Sequence, residues 1–131
     1  MEESEDTLDA DWNQVWMLNN EVQQGRALQL TDEVRALLRR TAPTVAISDA
    51  ETEAAIINVE HAAALIQKIE ARIRDGSSRI GNALHQMYRL QEKSDLEGAR
   101  QLMRDVLAVE VVPLYREIAE GELEKMDDAD D

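Results

Sequence analysis

The sequence predicts an all-α protein: about five helices in a bundle, built around a long antiparallel helical hairpin, with acidic mobile tails. Three observations carry that prediction. Apolar residues recur at steps of three and four through most of the chain. Helix-start signals, Ser followed three positions later by Glu, stand at Ser48/Glu51 and Ser94/Glu97. Aromatic content is 3% with no Phe, so the core must come from Leu, Ile, Val, Ala and Met, which suit packed helices. A length of 131 residues bounds the whole at one domain with a single modest core.

The first helix is expected at about residues 12 to 24. Asp9 or Asp11 caps its start by accepting hydrogen bonds from unpaired amides, and Gly25 ends it in the left-handed conformation. Trp12, Val15, Trp16, Asn19 and Val22 share one face, so both tryptophans are expected to dock into the body rather than form an aromatic binding platform. Thr31 and Asp32 start a short second helix that buries Val34, Leu37 and Leu38 and ends near Thr41. Pro43 blocks its continuation, and residues 44 to 47, alternating polar and apolar, read as an extended tether without a partner strand. Ser48 then caps a third helix of about ten residues, to Ile57 or Asn58.

From about 60 to 93 the apolar positions Leu65, Ile69, Ile73, Ile80, Leu84, Met87 and Leu90 keep a heptad-like spacing, with Gly76 in the slot between Ile73 and Ile80. One long helix with a soft point at Gly76 is therefore favoured over two, the glycine costing about 1 kcal/mol and explained by a helix packed closely against it. After the Ser94 cap, Ala99, Leu102, Met103, Val106, Val109, Val112 and Ile118 continue the seam in a helix that the short turn at 93 to 95 sets antiparallel to the previous one. Pro113 either kinks that helix, by removing the bond to Val109, or marks a true break at Val112. Beyond Gly121 the apolar pattern fades.

The net charge of -14 is unevenly placed. Residues 1 to 11 carry six acids and no base, and residues 117 to 131 carry eight acids against Lys125, which leaves -1 for residues 12 to 116. On this reading 1 to 11 is an acidic N-terminal tail, 12 to 120 the helical bundle and 121 to 131 an acidic C-terminal tail. Direct nucleic-acid binding is not expected of a surface that lacks net basic charge. The start, Met1-Glu2-Glu3-Ser4-Glu5-Asp6, is the opposite of a basic secretory signal, and the most apolar segment, 106 to 114, is broken by Glu110 and far short of the roughly 20 residues of a span. A cytoplasmic protein with no membrane contact follows as the expectation.

Few chemistries are open to this chain. Without Cys there is no disulfide, thiolate metal site or cysteine nucleophile, and the five glycines form no phosphate-binding loop. His61 and His85 stand in two copies of Asn-x-x-His, at Asn58 and Asn82, where a helical di-iron protein would place Glu-x-x-His; the carboxylates are missing. Glu60, Glu70, Asp105 and Glu110 are read as solvated helix faces rather than acid and base pairs. Arg72, Arg79 and Arg89 form a sparse basic line, with Arg39 and Arg40 elsewhere, read as ordinary pairing with Glu70, Asp75 and Glu92 or as a dock for an acidic tail or partner. Tyr88 to Pro113 looks like one tetratricopeptide unit, but no second copy stands beside it.

Two blocks carry a resemblance. Leu30-Thr31-Asp32-Glu33-Val34-Arg35-Ala36-Leu37-Leu38-Arg39, and Asp95-Leu96-Glu97-Gly98-Ala99-Arg100 running on to Val112-Pro113-Leu114-Tyr115-Arg116-Glu117-Ile118-Ala119-Glu120-Gly121, with Ala46-Ile47-Ser48-Asp49-Ala50 between them, resemble the DUSAM family of small helical bacterial proteins over roughly residues 12 to 123. The resemblance implies a bacterial, cytoplasmic setting, no assigned activity and no site residues. The expectation is a non-catalytic protein interaction or regulatory module that holds a protein partner through a helix face, as an inhibitor or chaperone-like companion of an enzyme. It needs no cofactor and no metal. Two rivals stand beside it: a helical-bundle enzyme or metal protein using His61 and His85, and an acidic nucleic-acid mimic. A heptad-rich hairpin also leaves pairing with a second copy open.

Overall fold

The computed structural model describes residues 5–129. Among them are six α-helices, one 3₁₀ helix and no strand: α1 (Glu5–Gln23), α2 (Asp32–Thr41), the 3₁₀ helix (Ala42–Val45), α3 (Asp49–Ala55), α4 (Val59–Glu92), α5 (Leu96–Val109) and α6 (Pro113–Ala129). The count is six rather than about five because Pro113 breaks the chain instead of kinking it. It stands at the first position of α6, where its missing amide has no bond to lose. The chain forms two compact units, Met1–Arg72 and Ile73–Asp131, and the division falls inside α4.

In the first unit the buried apolar residues are Trp12 and Val15 of α1, Leu37 and Leu38 of α2, Ala42 and Val45 of the 3₁₀ helix, Ile47, Ile56, and Ala62, Leu65, Ile66 and Ile69 of α4. Helix α1 starts at Glu5, so the described part of the expected N-terminal tail is helix, and residues 1 to 4 lie outside the described residues. Asp11, assigned to that tail, is instead buried and accepts two hydrogen bonds from Arg40, at 3.1 and 3.2 Å. Trp12 is buried and donates from its indole Nε1 to Thr44 Oγ1 at 3.0 Å, which satisfies its one polar atom. Trp16 does not dock: it is 54% exposed. Helix α2 begins as expected, with Thr31 accepting from the Val34 amide, acids in its first turn and Arg39 and Arg40 in its last, which matches the helix dipole at both ends.

The expected tether at 44 to 47 is a 3₁₀ turn. Pro43 starts it cheaply, and Ala46, in a left-handed conformation at φ 64°, ends it so that the amides of Ala46 and Ile47 return to Pro43 and Ala42. Arg72 secures the turn by donating to the carbonyls of Val45 and Ala46, at 2.9 and 3.1 Å. Ser48 caps α3 by accepting from the Glu51 amide, but that helix runs seven residues rather than about ten. It stops early because Asn58 starts α4, its side-chain oxygen accepting from the amides of Glu60 and His61.

In the second unit the buried apolar residues are Ile80, Ala83 and Met87 of α4, Ala99, Met103 and Val106 of α5, and Val112, Tyr115, Ala119 and Met126. Helix α4 runs unbroken through Gly76 as the seam predicts, and the close neighbour at the glycine is the Tyr115 ring of α6. The α5 cap falls one residue later than expected. Ser94 takes a positive φ of 63°, unsuited to an N-cap, and Asp95 accepts from the Gly98 amide instead. Nor does the chain lose order at Gly121: α6 continues to Ala129, with Met126 1% exposed. Arg100, itself buried, holds this end by donating to Asp127 at 3.1 Å and to the Met126 carbonyl at 3.2 Å. Asp130 and Asp131 lie outside the described residues.

Candidate functional site

The first unit presents an open groove of about 230 Å³ between α1 and α2. Met17 and Leu18 of α1 face Val34 and Leu37 of α2 across its floor, and Glu21 and Glu33 stand at its edges with Gln14. The groove exists because α1 carries more apolar surface than one stripe can bury. Trp16, Met17 and Leu18 are consecutive, and at about 100° per residue they sweep some 200° of the helix. Val15 and Trp12 take the core-facing side, leaving Met17 57% exposed and Trp16 exposed on the flank away from the groove. That run of three apolar residues is the signal by which sequence reasoning could have found the groove.

The basic residues of α2 are directed away from it. Arg35 donates to the Ile56 carbonyl at 3.1 Å and pairs with Asp32, Arg39 makes two bonds to Glu53 at 2.9 and 3.0 Å, and Arg40 is held by Asp11. The Arg39 guanidinium, chiefly through that hydrogen bond, holds the Glu53 carboxyl below its ordinary value. Glu21 meets Arg26 only at 4.0 Å, and Glu33 has no basic partner among the described residues. The rim is accordingly negative.

The second unit carries a shallower groove of about 370 Å³ between α4 and α5, with Ala83, Val106 and Val109 on its floor and Arg79, Asn82, Gln86 and Asp105 around it. Its polar edge mixes both signs. Beside it lies an elbow between α5 and α6. The Glu110 side chain is 1% exposed; one oxygen accepts from Arg79 at 2.7 Å, and the other from the amides of Val111 and Val112 at 3.1 and 3.0 Å. Arg116 donates to the carbonyls of Leu107 and Glu110, both at 2.8 Å, and Tyr115 donates to the Ile73 carbonyl at 3.2 Å. The Val111 and Val112 amides and the Leu107 and Glu110 carbonyls, which the helix break would otherwise orphan, thus each have a side-chain partner.

The structure scatters the remaining sequence-predicted residues. His61 and His85 are both exposed and belong to different compact units, 24 positions apart in the sequence. Asn58 is engaged as the α4 cap, which accounts for the first Asn-x-x-His without any ligand. Among the described residues no group of three or more His, Asp or Glu gathers. Glu60 and Asp105 are exposed as expected, with Asp105 accepting from Gln101, while Glu70 is half-buried. Glu110 overturns its reading as a solvated face, as just described. The basic line is also corrected: Arg72 binds the carbonyls of Val45 and Ala46 and Arg79 binds Glu110, in place of Glu70 or Asp75, and neither Arg72 nor Arg89 has an acidic partner among the described residues. No helix among them is long and apolar enough to cross a membrane.

Residues 10–126 match the model of a family described as "Protein of unknown function (DUF2379)". No curated protein and no solved structure matches the chain. The resemblance drawn from the sequence implied a family without assigned activity, and the matched family is one; the match does not carry the name DUSAM.

Proposed function

We propose that this chain, which belongs to the family of unknown function DUF2379, is a non-catalytic interaction module of the bacterial cytoplasm that holds a protein partner through the groove between α1 and α2. The observation that carries the reading is the exposed apolar floor of that groove, with Met17 more than half exposed beside Leu18, Val34 and Leu37. A methionine in such a place offers a soft, adaptable contact surface, and an apolar cleft of this shape suits an amphipathic helix laid along it. Most of the carboxylates and both histidines that catalysis could draw on are dispersed over exposed faces, and the buried carboxylates are occupied, Asp11 by Arg40 and Glu110 in holding the elbow. Regulation of an enzyme by occlusion or companionship is the mode such a module would use.

Co-purification from the native organism tests this. Tagged wild-type protein at native abundance is expected to recover a stoichiometric protein partner, and Met17→Glu to lose it while melting as the wild type does, since Met17 faces solvent. Recovery of no stoichiometric partner by the wild type, or equal recovery by the variant, overturns the proposal.

A further inference from the structure

We infer that the segment received by the α1/α2 groove is a cationic amphipathic helix of the partner protein, apolar on one face and Lys- or Arg-bearing on the faces beside it. The inference rests on the groove reading above and adds the chemistry of the occupant. Charge complementarity carries it. Helix α1 holds Glu5, Asp6, Asp9, Asp11 and Glu21 and no Lys or Arg. Across the groove, α2 contributes Glu33, while its three arginines are drawn off to Asp32 and the Ile56 carbonyl, to Glu53 and to Asp11. Apart from Arg26, 4.0 Å from Glu21 and 69% exposed, no cation among the described residues neutralises the two rim carboxylates. An apolar floor between carboxylates at both edges favours an apolar stripe flanked by ammonium or guanidinium groups. It disfavours an anionic helix by like-charge repulsion. The α4/α5 groove offers no such discrimination, because Arg79 and Asp105 both stand at its edge.

The full chain, labelled with ¹³C at its methionine methyls, gives a direct readout. Met17 is the one exposed methionine among the described residues, whereas Met87, Met103 and Met126 are buried. Two synthetic helices of about 18 residues, five turns, serve as probes: a Leu face with Lys on the other faces, and the same Leu face with Glu replacing Lys. The expected result is that the Lys peptide shifts the Met17 methyl signal and leaves those of Met87, Met103 and Met126 in place. Its affinity should fall as salt is raised, and roughly two- to fivefold in Glu33→Gln, the value of one exposed ion pair. Equal binding of the Glu peptide at Met17 overturns the cationic occupant and leaves the groove as a docking site. Failure of both peptides to move Met17 overturns the occupant and the groove together. Binding of the Lys peptide with Met17 unmoved, or unchanged in Glu33→Gln, assigns the affinity to the acidic surface at large and also overturns the inference.

Discussion

In the second unit the carboxylate of Glu110 is sealed from water, with both oxygens committed to Arg79 and to the amides of Val111 and Val112. In the first unit the carboxylates of Glu21 and Glu33 face solvent beside an apolar floor that no described residue covers. The elbow satisfies its polar groups internally and so fixes the path of the chain. The groove leaves them exposed, and it is this surface, both apolar and charged, on which a partner of opposite sign is proposed. The difference teaches how one residue type divides its work: the carboxylate that is buried and bonded is structural, and those exposed beside unburied apolar side chains are the candidates for function.

This contrast breaks most visibly at Glu110. Glu110→Ala strands two amides and a partly buried guanidinium, and is expected to cost on the order of 3 kcal/mol, less than a fully buried pair because Arg79 is about a third exposed. The midpoint of urea unfolding measures it. A loss below about 0.5 kcal/mol, the scale of an ordinary surface change, would show that the elbow is not held this way. Gly76→Ala comes next. Helix propensity favours the alanine by about 1 kcal/mol, but its Cβ would stand 2.6 Å from Tyr115 Cε2 and 3.0 Å from Glu110 Oε1, neither of them the free end of a flexible surface chain. Overpacking costs about 1 to 3 kcal/mol, so a net loss of about 1 is expected. That loss should shrink when combined with Tyr115→Ala, in a double-mutant cycle.

Gly81→Ala, about one and a half turns further along the same helix, has open space around its new methyl group and should stabilise by up to about 1 kcal/mol. Opposite signs for two identical substitutions five residues apart would isolate the close approach of Tyr115 as the cause. The smallest effect belongs to Glu53. Its carboxyl is held below the ordinary 4.5 mainly by the Arg39 hydrogen bond, so the folded state binds a proton less readily than the unfolded one. The resulting stability is present at neutral pH, begins to fade as pH falls toward 4.5, and is gone below the lowered value. Glu53→Gln should therefore lie slightly below the wild type in urea stability at pH 7 and meet it in acid.

Much of this architecture is legible from local rules. Thr31 and Ser48 announce α2 and α3 because a hydroxyl before a run of acids leaves few alternatives, and α4 is legible as one helix because its apolar positions keep their spacing through Gly76. What escapes is set by distant partners. The extension of α6 depends on Met126 and on Arg100, 26 residues back, and no local pattern ties the two. Glu110 looks solvated in sequence because its role is defined by Arg79 and by a break that Pro113 alone does not decide. The division of the chain at Arg72 and Ile73 is invisible for the reason that makes α4 legible: the seam does not change there. Of the candidate site, neither Met17 nor Leu18 belongs to the apolar face expected of the first helix, and their pairing with Val34 and Leu37 needs the turn between α1 and α2.

Asn58 also bears on any attempt to write a metal site into α4. Writing a Glu-x-x-His pair into α4 at Asn58 would remove the cap on which the helix starts, at a cost of about 1 kcal/mol. Asn82 is exposed in mid-helix, holds no cap and lines the α4/α5 groove opposite Asp105. As raw material for a designed metal site, the two copies of one sequence pattern are therefore unequal: the second can be rewritten at little cost, while the first is already part of the frame.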